Sequence, residues 1–415
     1  MIKWSSVKGL NGLKHLRVSD IRGVVQLTTQ ATIGVTKIAE GVHQSVWRTL
    51  GMPKGDDPSQ TRGLTGLVYK SIYTITQLIG TGTDKVLEKQ LPRLAFLDEM
   101  KIDTVERQAV LSALNGVVGD QLVASHNPLA TPMALYYQQA ALDWSSLTAM
   151  PSVTGKVLIM VHGLCMNDTL WCSSHGDITV DHGQDLSSAL GYTAVYLRYN
   201  SGLHISANGR ELATHLELLA KNWPVPVEEI TIVAHSMGGL LSRSAVYYAE
   251  SDALLWPTLV KNIIFLGTPH HGAPLERMGS KLDVVLGTTP YTAPFLLLSN
   301  LRSSGITDLR YGHVIDEDWQ GINRFEDRPD ARKVVPLPVN IHCYAIAATT
   351  TEQSWLAENV IGDGLVPLRS ALGVHDNEEY MLAFDETSQR IFYQMNHMEL
   401  LSSPDVTEQM LAWLS

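Results

Sequence analysis

Three residues far apart in the chain are of the types that carry out nucleophilic chemistry together. Ser236 lies in Glu229-Ile230-Thr231-Ile232-Val233-Ala234-His235-Ser236-Met237-Gly238-Gly239, where a β-branched apolar run meets a serine flanked by very small residues. The run predicts a buried strand, and the apolar stretch from Leu240 to Tyr248 predicts a helix. A serine on the tight turn between them would present its hydroxyl at the strand end, in a strained backbone state. Serine is a weak nucleophile at its own pKa. It needs a histidine within hydrogen-bond reach, and that histidine needs a carboxylate to hold its tautomer and stabilise its cation. Asp363, in Val360-Ile361-Gly362-Asp363-Gly364-Leu365-Val366-Pro367, is the candidate carboxylate, with Asp376 and Asp385 as rivals. His397, in Met395-Asn396-His397-Met398-Glu399-Leu400, is the candidate base. Each has a plainer alternative. Ser236 could cap the helix that follows it, Asp363 could be a turn residue, and His397 could be a satisfied core histidine.

Attack by such a serine on an acyl carbon creates a negative oxygen that needs preplaced N–H donors. One expected donor is Met237, directly after the serine at a helix N-terminus, where the dipole also favours negative charge. The other comes from Val161-His162-Gly163-Leu164-Cys165, with Leu164 expected and Cys165 as the alternative. His162 is expected to fix this loop through a backbone bond, and Cys165 to be a small filler whose thiol nothing activates. His270 and His271 are adjacent. Neighbours on an extended chain point apart, so loop support is expected there and not chelation of a metal.

The elements that must position these residues alternate from residue 155 onward. Strands are expected at 156–161, 193–199, 230–234, 262–267, 341–347 and 390–395. An amphipathic helix is expected from Asn208 to Trp223, stopped by Pro224 and Pro226. Alternation of this kind predicts an α/β fold with a doubly wound, mostly parallel sheet, whose sites lie beyond the carboxyl ends of its strands. The segment between Gly272 and Asn340 is too long for a simple connection and predicts an inserted cap over about 273–340, with apolar stretches at 284–286 and 295–298. Residues 1–150 predict a helical N-terminal region, and 151–415 the α/β domain. Helical spacing recurs at Val35 to Trp47, at Leu64 to Ile79, and from Leu111 to Leu122 with Asp103 or Thr104 as N-cap.

The 415 residues are 45% hydrophobic and carry a net charge of −11, which argues against nucleic acid as a partner. Residues 1–50 run the other way, with seven Lys/Arg against two acidic residues. A peripheral membrane contact through the N-terminal helices would use that charge. Three cysteines, Cys165, Cys172 and Cys343, fall short of a disulfide framework and suit a reducing compartment. A Cys165–Cys172 bridge is conceivable but not needed. With no apolar signal region and no apolar run of membrane-spanning length, the expectation is a cytoplasmic chain.

At these residues the chain resembles the α/β-hydrolase superfamily, and within it bacterial lipases and carboxylesterases with an Ala-His-Ser-Met-Gly or Gly-His-Ser-Met-Gly turn. The matching pieces are Val161-His162-Gly163-Leu164, Ala234-His235-Ser236-Met237-Gly238-Gly239, Gly267-Thr268-Pro269-His270-His271-Gly272, Asp363-Gly364-Leu365-Val366-Pro367 and Asn396-His397-Met398. They span residues 155–415 in the family's order of serine, acid, histidine. The chain is also similar to bacterial hydrolases that carry a helical N-terminal extension, which the lipases proper lack. The resemblance implies a catalytic triad of Ser236, Asp363 and His397, an oxyanion hole from Leu164 and Met237, and an acyl-enzyme route to hydrolysis of carboxylic esters. The single glycine of His162-Gly163-Leu164 favours the lipase-like branch. No cofactor or metal is expected, although some family lipases hold a structural calcium. The partner implied is a small-molecule or lipid ester, with oligomerisation left open. The same apparatus would serve an acyltransferase, a thioesterase or a polyester depolymerase.

Overall fold

The computed structural model describes residues 104–144, 152–175, 178–273, 302–324, 326, 328–352 and 362–415, together with Asp20, Gly23 and Glu40. Apart from Glu40, the run expected to be helical at 35–47 lies outside these residues, as do the run at 64–79 and the apolar stretches at 284–286 and 295–298.

The main sheet has eight strands: β1 (Ala134–Tyr137), β2 (Ala140–Ala141), β3 (Lys156–Val161), β6 (Thr193–Arg198), β7 (Glu229–His235), β8 (Val260–Leu266), β9 (His342–Thr349) and β10 (Gln389–Tyr393). Between β3 and β6 the chain forms a separate antiparallel pair, β4 (Cys172–His175) with β5 (Ile178–Asp181). The main sheet runs in the order β10-β9-β8-β7-β3-β6-β1-β2. From β10 to β6 every pairing is parallel, and only β1 and β2 join antiparallel. All six expected strands are present, with ends shifted by up to two residues. β1 and β2 depart from the expectation of a purely helical region before residue 150. They extend the sheet edge beside β6, which the boundary at 150 would cut away. Their four and two residues are too few to show a strand period in sequence.

The continuous apolar run of β3 follows from burial on both faces. Val157, Ile159 and Val161 pack on one side with Ile230, Ile232 and Ala234 of β7. Against them lie Leu212 and Leu216 of helix α3 (Ile205–Asn222) and Ala245 of helix α4 (Met237–Ser251). Leu158 and Met160 face the other side, with Leu186 of helix α2 (His182–Leu190) and Val406 and Met410 of helix α6 (Pro404–Leu414). Helices therefore cover both faces. The arrangement is the doubly wound sheet of the α/β-hydrolase fold.

Local chemistry sets the helix ends. The residue before a proline is driven out of the α region, and Trp223, before Pro224, sits at φ −58°, ψ 140° and ends α3. Thr104 caps helix α1 (Val105–Ala124) by accepting from the Arg107 N–H at 3.2 Å, which decides between the two expected caps. No helix among the described residues is long and apolar enough to cross a membrane.

The described part of the long insertion between β8 and β9 includes helix α5 (Ser304–Asp308). It is tied to α1 by Ser303 Oγ donating to Gly116 O at 2.6 Å, and by Asp120 accepting from Ser304 and Arg324. Its C-terminal Asp308, 1% exposed, accepts from Ile205 N at 2.8 Å and His204 Nδ1 at 3.0 Å. Burial alone would raise this carboxyl's pKa, but the bonds from His204 and His313 outweigh it and hold it below the usual range. Asp308 therefore contributes stability that is complete above about pH 4 and lost as pH falls further. Replacing Asp308 by Asn should lower the unfolding free energy at pH 7 by about 1.5–3 kcal/mol, measured by urea denaturation. An unchanged midpoint would contradict this role.

Candidate functional site

Ser236 follows β7 directly and precedes α4. Its backbone sits at φ 56°, ψ −127°, a conformation that side chains other than glycine rarely adopt. Its side chain makes no capping bond to α4, so the plainer role as an N-cap does not hold. Its own N–H donates to Leu266 O at 2.8 Å, which pins the turn to β8. The turn must also run close to the loop after β3. A Cβ at Gly238 would lie 2.6 Å from the carbonyl oxygens of Val161 and His162, so only glycine fits there. Ala234, fully buried, keeps the strand end narrow at the position a glycine often holds.

Asp363 follows β9 and His397 follows β10, at the carboxyl end of these parallel strands. Asp363 Oδ2 accepts from His397 Nδ1 at 2.6 Å. Asp363 Oδ1 accepts from the N–H groups of Leu365 and Val366 at 3.0 and 2.8 Å. The backbone adds a second clamp, His397 N to Asp363 O at 2.9 Å. Both side chains are buried, Asp363 to 2% and His397 to 4% exposure. With Nδ1 committed to the carboxylate, Nε2 is the nitrogen left for a substrate or a serine. The rivals differ: Asp376 is exposed and pairs with Arg369, and Asp385 is exposed.

Ser236 and His397 line one pocket of about 40 Å³ together with His235. Its other described walls are apolar, among them Leu164, Met166, Leu309, Val366 and Met398. Leu164 lies on the loop after β3 and Met237 opens α4, where the first N–H groups have no intrahelical partner. The alternative donor is already occupied, because Cys165 N–H donates to Ser201 Oγ at 3.0 Å. Ser201 was not legible as a site residue. It follows β6, and only the three-dimensional approach of that loop brings it to Cys165. Cys165 itself sits at φ 60° beneath α1, where Gly116 allows its sulfur to approach. Burial pushes its thiol up to about 12, in keeping with an inert filler. All three cysteines are free.

His162 Nδ1–H donates to Gly163 O at 2.9 Å, and its ring stacks on Tyr199 at 4.4 Å. His235 Nε2 bonds His397 O at 3.2 Å, so it supports the backbone of the candidate base. His270 and His271 face guanidiniums: His270 Nδ1 lies 3.5 Å from Arg243 and His271 Nδ1 2.8 Å from Arg332. Among the described residues no group of three His, Cys, Asp or Glu could hold a metal.

Burial holds these rings neutral. It pushes His162 and His271 down to about 3, and lowers His182, His235 and His270 as well. The unfolded chain takes up these protons near pH 6.5 while the folded chain refuses them. Stability is then complete above pH 6.5 and falls as pH drops below it, by about 1.4 kcal/mol per pH unit for each such histidine. Thermal unfolding should show a level midpoint above pH 7 and a steep decline between pH 6.5 and 5. A level profile through that window would contradict it.

Residues 152–346 match the model of a known family, described as the PGAP1-like alpha/beta domain. The matched stretch holds Ser236 and the loop after β3, and ends before Asp363 and His397. No curated protein sequence matches the chain. Among solved structures the chain is similar to the mature form of Bacillus licheniformis lipase BlEst2, with 16% identity over 69% of this chain and 99% of that one, at a TM-score of 0.43. It is also similar to Aspergillus fumigatus lipase B, with 12% identity over 94% and 83% of the two chains, at a TM-score of 0.41. A third similarity is to the naproxen esterase of Bacillus subtilis, with 13% identity over 63% and 84%, at a TM-score of 0.34. Over residues 152–346, then, the chain is similar to the PGAP1-like alpha/beta domain, and that stretch carries the parallel strands β3, β6, β7 and β8.

Proposed function

We propose that the chain is a serine hydrolase of carboxylic esters, with Ser236 as nucleophile, His397 as general base and Asp363 as the group that orients it. The observation that carries this is the buried 2.6 Å bond from His397 Nδ1 to Asp363, in a pocket shared with an uncapped serine on a strained turn. In this reaction Ser236 Oγ attacks the ester carbonyl while His397 Nε2 takes its proton. The imidazolium is stabilised by Asp363 and returns the proton to the leaving alcohol. Water, deprotonated by the same nitrogen, then cleaves the acyl-enzyme. The backbone N–H groups of Leu164 and Met237 hold the oxyanion. The apolar walls around Ser236 suit an acyl chain better than a charged group.

Replacing Ser236 by Ala should reduce kcat on p-nitrophenyl esters by about 10⁴-fold or more and abolish labelling by a fluorophosphonate probe. Full activity in a folded variant would sink the assignment. Ester turnover in the presence of a competing alcohol separates water from alcohol as acceptor: free acid as the sole product supports hydrolysis, and accumulation of the exchanged ester points to an acyltransferase.

Ser201 gives a subtler test. Its hydroxyl holds the residue next to Leu164, so Ser201→Ala should lower kcat by about tenfold with little change in KM, since the loop it positions serves the oxyanion and not the bound ester. A rise in KM at unchanged kcat would remove Ser201 from that role.

A further inference from the structure

Arg243 lies on α4, two turns beyond Ser236, and is only 6% exposed. It donates through Nη2 to Val335 O at 2.5 Å, and its Nη1 lies 3.5 Å from His270 Nδ1. Its Nε is buried without a hydrogen-bond partner. It forms no ion pair among the described residues. Arg332, 7% exposed, reaches the same histidine pair: Nη1 donates to His270 O at 3.1 Å and Nη2 to His271 Nδ1 at 2.8 Å. Two guanidiniums thus converge on one dipeptide.

Two carboxylates offset part of their charge, Asp318 toward both guanidiniums and Asp330 toward Arg332. Asp330 stands 3.4 Å from Arg332 and none of its bonds reaches Arg243. Asp318 is buried nearby, and its oxygens accept the N–H groups of Val314, Ile315 and Lys333, so it bonds neither guanidinium directly and leaves their free donors unmet. Burial, and then the second guanidinium, push Arg243 down to about 10, still charged at neutral pH. The histidines cannot supply negative charge, and His270 adds a further donor. Its Nδ1 faces a guanidinium and so accepts, which puts the proton on Nε2, and that nitrogen has no hydrogen-bond partner.

These groups border a cleft of about 20 Å³, lined also by Lys333 and Tyr380. That is room for one occupant the size of a water molecule or a halide, and too little for a phosphate ester. The nearby carbonyls of Val335 and His270 are already bound by the guanidiniums, so the cleft offers mainly donors. A water would leave its own protons poorly placed, whereas an anion accepts from every side.

We propose that this cleft binds a monovalent halide-sized anion, chloride in the cell, held by Arg243, Arg332 and His270. The anion would tie α4 and the segment 332–335 to the loop after β8. Pro269 and Ala273 of that loop line the pocket at Ser236, so occupancy also stiffens one wall of the site. The proposal stands whether or not Ser236 attacks esters.

Thermal unfolding of the full chain in sodium chloride and in sodium gluconate, at equal ionic strength, tests it. The expected result is a saturable rise in midpoint with chloride, matched by bromide and lost in Arg332→Gln. Equal midpoints in both salts, or a chloride effect retained in Arg332→Gln, would overturn it. Because that variant could fail to fold, crystals of the unaltered protein grown in bromide give a second readout. An anomalous peak against the Arg243 guanidinium supports the site, and its absence overturns it.

Discussion

The backbone of Ser236 is the constraint on which the rest of the structure depends. A non-glycine residue at φ 56° costs about 1–3 kcal/mol, and it persists only where its surroundings over-determine it. Here they do. β7 is held by parallel neighbours on both sides, the Ser236 N–H is tied to β8, and Gly239 N–H closes the turn on Ser236 O at 3.0 Å. Gly238 lets α4 approach the loop after β3 closely, and Leu164 of that loop packs against the apolar cluster that holds Met237. Strain at one residue is thus balanced by apolar burial over two sheet faces.

Around that turn the polar groups are arranged in layers. Asp363 spends one oxygen on two backbone N–H groups and the other on His397, so the ring has one orientation available. His235 bonds the carbonyl of His397, and Asn396 accepts from the N–H groups of Met398 and Glu399. The loop bearing Leu164 is held from beneath by Ser201 and α1, and α1 in turn bonds the insertion through Gly116 and Asp120. α1 lies outside the matched family stretch, yet it touches both the loop beside the serine and the segment that carries Leu309 of the pocket wall. Its deletion would disturb the site without removing any residue proposed to react.

Much of this was legible in the chain. Apolar runs marked β3 and the strands from β6 to β10, and they are near-continuous in β3, β7 and β8, which are buried on both faces and need no polar alternation; β4 and β5 were not marked. The small residues around Ser236 marked the turn, and the positions of Asp363 and His397 after later strands marked their end of the sheet. The edge strands β1 and β2 were not legible, since they are too short for any period to register. The helix expected from Asn208 begins at Ile205 instead, because Ile205, Ser206 and Asn208 are all buried and blur the amphipathic contrast there.

By itself the sequence determined the element types, the α/β class, and the three positions at which a nucleophile, an acid and a base could stand. Those depend on local properties: side-chain shape, period and turn chemistry. Only the tertiary structure decided which partners those groups meet. It set Asp363 against His397 while leaving Asp376 and Asp385 on the surface, and it occupied the Cys165 N–H with Ser201. It also brought two arginines, 89 positions apart in number, onto one histidine pair. Contacts between residues that far apart arise from how strands stack and loops return, and no local pattern encodes them.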